Sequence, residues 1–109
     1  MAETFLYLTT TGRKTGKPHS IEIWYVEHED CYVLCAEQRE KSDWVKNVMA
    51  NPNIQFYVAE RNSEVLPQAG TAHIVTDAAD IQAIAPVFDA KYKWSTGLFV
   101  RICPEAAGQ

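Results

Sequence analysis

Three cations share one short turn. Within Leu8 to Val26, Arg13, Lys14 and Lys17 lie between Gly12, Gly16 and Pro18. Cations held this close repel one another, and a net charge of −4 means that they are not simply abundant. The chemistry they suit is capture of an anion, best a phosphate of a bound cofactor. A second basic stretch, Glu37, Gln38, Arg39, Glu40 and Lys41, precedes Ser42. A helix starting at Ser42 would add free N–H groups to the same anion. The competing reading of the turn is a solvated hairpin tip. A nucleotide-triphosphate loop is rejected: the glycine spacing is too short, Pro18 follows Lys17, and no helix comes next.

Aromatic residues flank the basic loops: Trp24, Tyr25, Tyr32 and Trp44. Most such residues are core, and one or two can instead cover a flat ring system. His19, His28 and His73 lack the close spacing of metal ligands, so no metal site is expected. Cys31 and Cys35 fall on one strand face and read as packed thiols. No G-x-S-x-G elbow is present, so nucleophilic catalysis has little support and no catalytic side chain is assigned.

The elements that must position these groups follow from periodicity. Thr4 to Thr10 reads as a first strand, His19 to His28 as a second and Cys31 to Ala36 as a third, with a polar turn at Glu29-Asp30. The second strand carries large apolar groups on both faces: Ile21, Ile23 and Tyr25 on one, Trp24 and Val26 on the other. Ser42 is placed to cap a helix with Trp44, Val45, Val48 and Met49 on one face, stopped by Asn51-Pro52-Asn53. Ile54 to Val58 and Gln68 to Thr76 are the fourth and fifth strands, the latter with a bulge at Gly70. Thr76 or Asp77 caps a second helix, with a stripe of Ile81, Ile84, Ala85, Phe88 and Tyr92 that Pro86 should kink or split. Gly97 to Cys103 is a sixth strand, and Pro104 to Gln109 a frayed tail. The order βββαββαβ does not alternate as a parallel sheet would. It predicts a mainly β protein with short helices, a small barrel with helices at its ends.

At 109 residues the chain is expected to be one domain, residues 1–109. Its acidity disfavours a nucleic-acid binder, and no apolar run is long enough for a membrane span. The N-terminus does not read as a signal peptide, and three cysteines without one predict reduced thiols and a cytoplasmic protein.

Two motifs then resemble a known family. LTTTGRKTGKP, followed by a strand, resembles the turn that opens deazaflavin-dependent nitroreductases and quinone reductases, and WVKNVMANPNIQFYV is similar to their W-x-x-N-L-x-A-N-P-x-V segment. The resemblance covers nearly the whole chain. It implies a split β-barrel related to the pyridoxamine-phosphate-oxidase-like, FMN-binding proteins. It implies the deazaflavin coenzyme F420 as cofactor, with FMN as the alternative. Carried over by position, Arg13, Lys14, Thr15, Gly16, Lys17 and Pro18 would line the phosphate and tail, with His19 beside them. Ile23, Trp24, Cys35, Ala36 and Glu37 would border the ring; Gln38, Arg39 and Lys41 correspond to a basic loop, and Trp44 opens the second motif. The sequence departs from the family at His19, often Arg, and at Glu22, often Pro, and the loop from Ala36 to Trp44 is shorter.

The reaction implied is hydride transfer from the reduced deazaflavin to a small-molecule electron acceptor: a quinone, a nitro compound or an enone. Solvent can supply the proton, with Tyr25, Tyr32 and Tyr92 as candidate donors. Two other readings stay open: an FMN-binding oxidoreductase of the same fold, and a non-catalytic cofactor-binding module. Relatives of this fold commonly dimerise, so a homodimer is expected.

Overall fold

The computed structural model describes residues 3–105. Its strands are β1 (Thr4–Thr11), β2 (Pro18–Ile23), β3 (Tyr25–His28), β4 (Cys31–Ala36), β5 (Asn53–Glu60), β6 (Gln68–Ile74) and β7 (Leu98–Pro104). Helix α1 (Asp43–Ala50) lies between β4 and β5, and α2 (Ala78–Tyr92) between β6 and β7. The seven strands form one antiparallel sheet in the order β2-β1-β5-β6-β7-β4-β3. The sheet curls into a half-barrel, the split-barrel architecture that the sequence predicts.

Alternation explains both layers of the core. In the β4–β7 ladder Leu34 faces Val100, and Cys35 faces Phe99. Leu34 and Val100 point into the barrel with Leu6, Leu8, Phe56 and Ile102. Cys35 and Phe99 point the other way, into a second cluster with Val33, Ile84 and Phe88, which α2 covers. Successive residues of one strand therefore serve two cores. Helix α1 buries Val45 and Val48 in the barrel cluster, while Met49 stays 62% exposed.

The structure corrects several expectations. The stretch His19 to His28 is not one strand. It breaks at Trp24, so Ile23 pairs with Leu6 of β1 and Tyr25 with Leu34 of β4. The break lets one segment serve opposite edges of the sheet, which is why both of its faces are apolar. Pro86 does not split α2, because Ile84 and Phe88 on either side of it are both fully buried and hold the helix to the sheet. Ser42 occupies the N-cap position of α1 but makes no side-chain capping bond, whereas Asp77 caps α2 by accepting from the Ala79 N–H at 3.1 Å. Gly70 keeps regular register with Ile54 and Pro104 instead of bulging. A side chain there would meet the Cys103 carbonyl at 2.7 Å, so close strand approach explains the glycine. Glu29 and Asp30 both have positive φ, 50° and 66°, as a two-residue type I′ hairpin turn requires.

The cysteine reading changes most. Cys31 and Cys103 form a disulfide between β4 and β7, with Cα atoms 4.6 Å apart. They stand opposite each other just beyond the Tyr32–Ile102 pair, a proximity that 72 residues of separation conceal in the sequence. Cys35 remains a free thiol, buried and apart from Cys31. Of the predicted tail, Pro104 ends β7, and residues 106–109 lie outside the described residues. Among the described residues no helix is long and apolar enough to cross a membrane.

Candidate functional site

The basic turn closes on itself through two backbone bonds of 2.8 Å, Gly12 N–H to the Lys17 carbonyl and Gly16 N–H to the Gly12 carbonyl. Gly16 takes φ +74°, in the left-handed region that suits glycine. Gly12 packs under His19: a side chain there would sit 2.7 Å from the imidazole Nε2. Arg13, Lys14, Thr15 and His19 line a cavity of about 520 Å³, whose far wall is Asp43, Trp44 and Asn47 of α1. The turn and the start of α1 therefore meet.

Arg13 plays a different part from the other cations. Its Nη1 donates to Asn47 Oδ1 at 2.8 Å and to the Asp43 carbonyl at 3.4 Å, and its Nη2 lies 3.4 Å from the Asp43 carboxylate. Its backbone N–H donates to the same Asn47 oxygen at 3.2 Å. Arg13 thus ties the turn to α1 and offsets part of the charge of the exposed Asp43 carboxylate.

A second cavity, of about 620 Å³, lies at the break after β2. Ile23, Trp24, Cys35 and Glu37 line it, together with Phe5, Glu22, Arg61, Tyr92 and Trp94. Trp24 stacks on Tyr92 with ring centroids 4.5 Å apart and planes 4° from parallel, and is 41% exposed. One face of the indole is covered and the other is open, which makes it a platform for a flat ring. The Tyr92 hydroxyl donates to the Tyr25 carbonyl at 2.8 Å and accepts from the Tyr25 N–H at 3.1 Å. Lys91 Nζ donates to the same carbonyl at 2.8 Å. The last turn of α2 therefore supplies the partners that Tyr25 lacks at the strand break. Burial pushes the Cys35 thiol up to about 11, so it is an apolar, unreactive wall at neutral pH.

The two cavities lie along one strand. On β2, Ser20 and Glu22 point outward, bonding Thr9 and the Tyr7 hydroxyl at 2.8 Å. His19, Ile21 and Ile23 share the opposite face, and both faces border the cavities, with Ser20 and Ile21 in the first and Glu22 and Ile23 in the second. His19 and Ile23 are roughly 13 Å apart along the strand. β2 thus runs from a cationic cavity to an aromatic one, a spacing that fits a ring joined to a phosphate by an extended chain.

Other predicted site residues lie elsewhere. Gly16 and Pro18 border a cavity behind the turn, beside Thr9, Gln55 and Glu105, with no cation in its lining. Lys17 is exposed at the turn and lines none of the three cavities. Ala36 is buried. Gln38 caps a single 3-10 turn over Arg39–Lys41. Arg39 reaches the Thr96 carbonyl at 3.5 Å and, with Lys41, borders neither the cationic nor the aromatic cavity. Of the tyrosines, Tyr25 shares a 2.8 Å hydrogen bond with Thr4, Tyr92 is committed to Tyr25, and Tyr32 packs against the barrel cluster. Sequence reasoning missed Asn47, Arg61 and Trp94. Asn47 was the legible one: it stands on the apolar face of α1, three residues after Trp44, where a polar side chain needs a partner.

A model of the F420H(2)-dependent quinone reductases matches residues 1–93. The chain belongs to the F420H(2)-dependent quinone reductase family. Quinone reductases described as F420H(2)-dependent from two strains of Mycobacterium tuberculosis, CDC 1551 and H37Rv, are each 28% identical over 71 residues. The match takes in 62% of this chain and 48% of each relative, so the chain spans about half the length of the curated relatives it matches. Among solved structures, the heme storage protein HutZ of Vibrio cholerae superposes with a TM-score of 0.67 at 16% identity, over 94% of this chain and 82% of that one. A structure described as an F420 reductase gives 0.63 at 14% identity, over 94% and 86%. At such identities these likenesses speak to the fold, and they place this family member among split barrels.

Proposed function

We propose that the protein reduces a quinone with the reduced deazaflavin coenzyme F420H2. The observation that carries this reading is the pair of cavities along β2, cations lining one and the half-open Trp24–Tyr92 stack the other. Family membership supports the choice of deazaflavin over FMN. The residues present fit the group: Lys14 and His19 face a phosphate, Lys17 adds long-range attraction, and Trp24, Ile23, Cys35 and Glu37 border a ring.

When bound, the reduced coenzyme would supply a hydride (two electrons with one proton) and release its second proton to solvent, from which the acceptor takes one. The chain's own work is orientation. Trp24 presents one face to the ring or the acceptor, Tyr92 holds that indole from behind, and the apolar wall of Ile23 and Cys35 excludes water. Nitro compounds and conjugated enones accept a hydride by the same route and are proposed as further acceptors. We also propose a homodimer. The half-buried Tyr7–Tyr57 stack on the outside of β1 and β5, with centroids 4.8 Å apart, supports it. Light scattering at micromolar protein should give the dimer mass, and a monomer mass refutes it.

The deciding experiment is a tryptophan-fluorescence titration with F420 and, separately, with FMN, followed by an acceptor screen with F420H2. Quenching by F420 in preference to FMN, and oxidation of F420H2 by a quinone, are expected. Preference for FMN would move the protein to the flavin-binding branch of the fold. Binding without turnover by any acceptor would leave a carrier module.

A further inference from the structure

We propose that Asn47 is the positioning residue of the cationic cavity. The proposal rests on the cofactor reading above and assigns a role to a side chain in the wall of that cavity whose polar atoms are already committed to Arg13 and Thr10. Asn47 is 4% exposed, and so has no solvent to satisfy its amide. Its hydrogen bonds set the amide one way round. Oδ1 accepts twice from Arg13, from the backbone N–H at 3.2 Å and from Nη1 at 2.8 Å. Nδ2 donates to Thr10 Oγ1 at 3.1 Å, and Thr10 is itself 2% exposed. One buried amide therefore joins the end of β1, the first residue of the basic turn and the middle of α1.

The charge layout shows what that junction does. Asp43 and Lys14 line the same cavity, so a ligand phosphate meets a carboxylate as well as an ammonium there. Asn47 fixes Arg13 where its guanidinium reaches Asp43. With Arg13 held against α1, its guanidinium stays 3.4 Å from the exposed Asp43 carboxylate and offsets part of its charge, while Lys14 and His19 are left to face the ligand. Removing the amide frees the turn, releases Arg13 and leaves Asp43 to repel the phosphate. A buried amide chosen only for packing would influence a phosphate-bearing ligand and its phosphate-free counterpart alike. A positioning residue separates them.

The test measures dissociation constants by fluorescence for F420 and for the deazaflavin chromophore that carries its ribityl chain but no phosphate. Wild type, Asn47→Ala and Thr10→Val are compared. Wild type should bind F420 more tightly than the phosphate-free chromophore. Asn47→Ala should weaken F420 by about ten-fold or more, the scale of a hydrogen bond to a charged group, and the chromophore by less than about two-fold. Thr10→Val keeps the shape but removes the hydroxyl that orients the amide. It should shift the same ratio in the same direction, by about three-fold. This second variant carries the test if Asn47→Ala does not fold. Equal weakening of both ligands, or no change in the ratio with either variant, overturns the role of Asn47 while leaving the cofactor reading intact. Failure of wild type to bind either ligand overturns the cofactor reading, and the role of Asn47 falls with it.

Discussion

Replacing Tyr92 by Phe removes one hydroxyl and keeps the ring. The hydroxyl bonds both polar groups of Tyr25, donating to the carbonyl at 2.8 Å and accepting from the N–H at 3.1 Å. After the change the carbonyl still has Lys91 Nζ at 2.8 Å, but the N–H loses the partner described here. A part-buried donor left in that state costs about 1–3 kcal/mol. Tyr92 is only half-buried, and the stack on Trp24 survives, so the lower half of that range applies. We expect a loss of about 1.5 kcal/mol by urea denaturation, and a melting temperature lower by roughly 6–12 °C for a domain of this size. The pH profile supplies a second readout. Burial pushes the Tyr92 hydroxyl above its ordinary value of 10.0, so the fold favours the protonated form. That contribution is fully present below the unfolded value and is lost as pH rises through the folded one. Tyr92→Phe should therefore flatten the alkaline fall in stability. A loss below about 0.5 kcal/mol, within the scatter of neutral surface changes, with an unaltered alkaline limb would refute the role given to this hydroxyl.

Two further outcomes follow from the described contacts. Thiol counting should find one reactive cysteine, Cys35, in the unfolded, unreduced protein and none in the native protein at neutral pH, because the thiol is buried and raised to about 11. Three thiols would refute the Cys31–Cys103 bond, whose loss should cost about 2–4 kcal/mol. Hydrogen bonds from Arg61 and then Tyr7 hold the Glu22 carboxyl below its ordinary range, so its contribution to stability is present above the unfolded pKa and is lost as pH falls through the folded one. An NMR titration of Arg61→Ala should show the Glu22 pKa rising back, and an unmoved pKa refutes the pairing.

Much of this fold was legible because local rules and tertiary packing agree. The alternation in Ile54 to Val58, the stop at Asn51-Pro52 and the polar turn at Glu29-Asp30 all specify elements without knowledge of their partners. What stayed hidden depends on partners. No glycine or proline marks the break at Trp24; what produces it is that Ile23 and Tyr25 pair with strands at opposite ends of the sheet order. The disulfide needs β7 laid beside β4. Arg13 reads as a free cation until α1 brings Asn47 and Asp43 within reach. Around the two cavities, the turn, Trp24 and the Cys35–Glu37 strand end could be named from motifs. Trp94 and Arg61 could not, since they enter from distant segments that carry no local signature.

The two ends of the sheet order, β2 and β3, are consecutive in the chain and separated only by Trp24. The barrel is therefore fastened at that seam by a continuous main chain, where a closed barrel would use a ladder of hydrogen bonds. A gap fastened in this way can widen or narrow by rotation about the bonds flanking one residue, with every ladder bond left in place. The aromatic cavity sits at that hinge. Its aperture is set by α2, whose Tyr92 and Lys91 bond the Tyr25 main chain and would have to release it before the gap could widen.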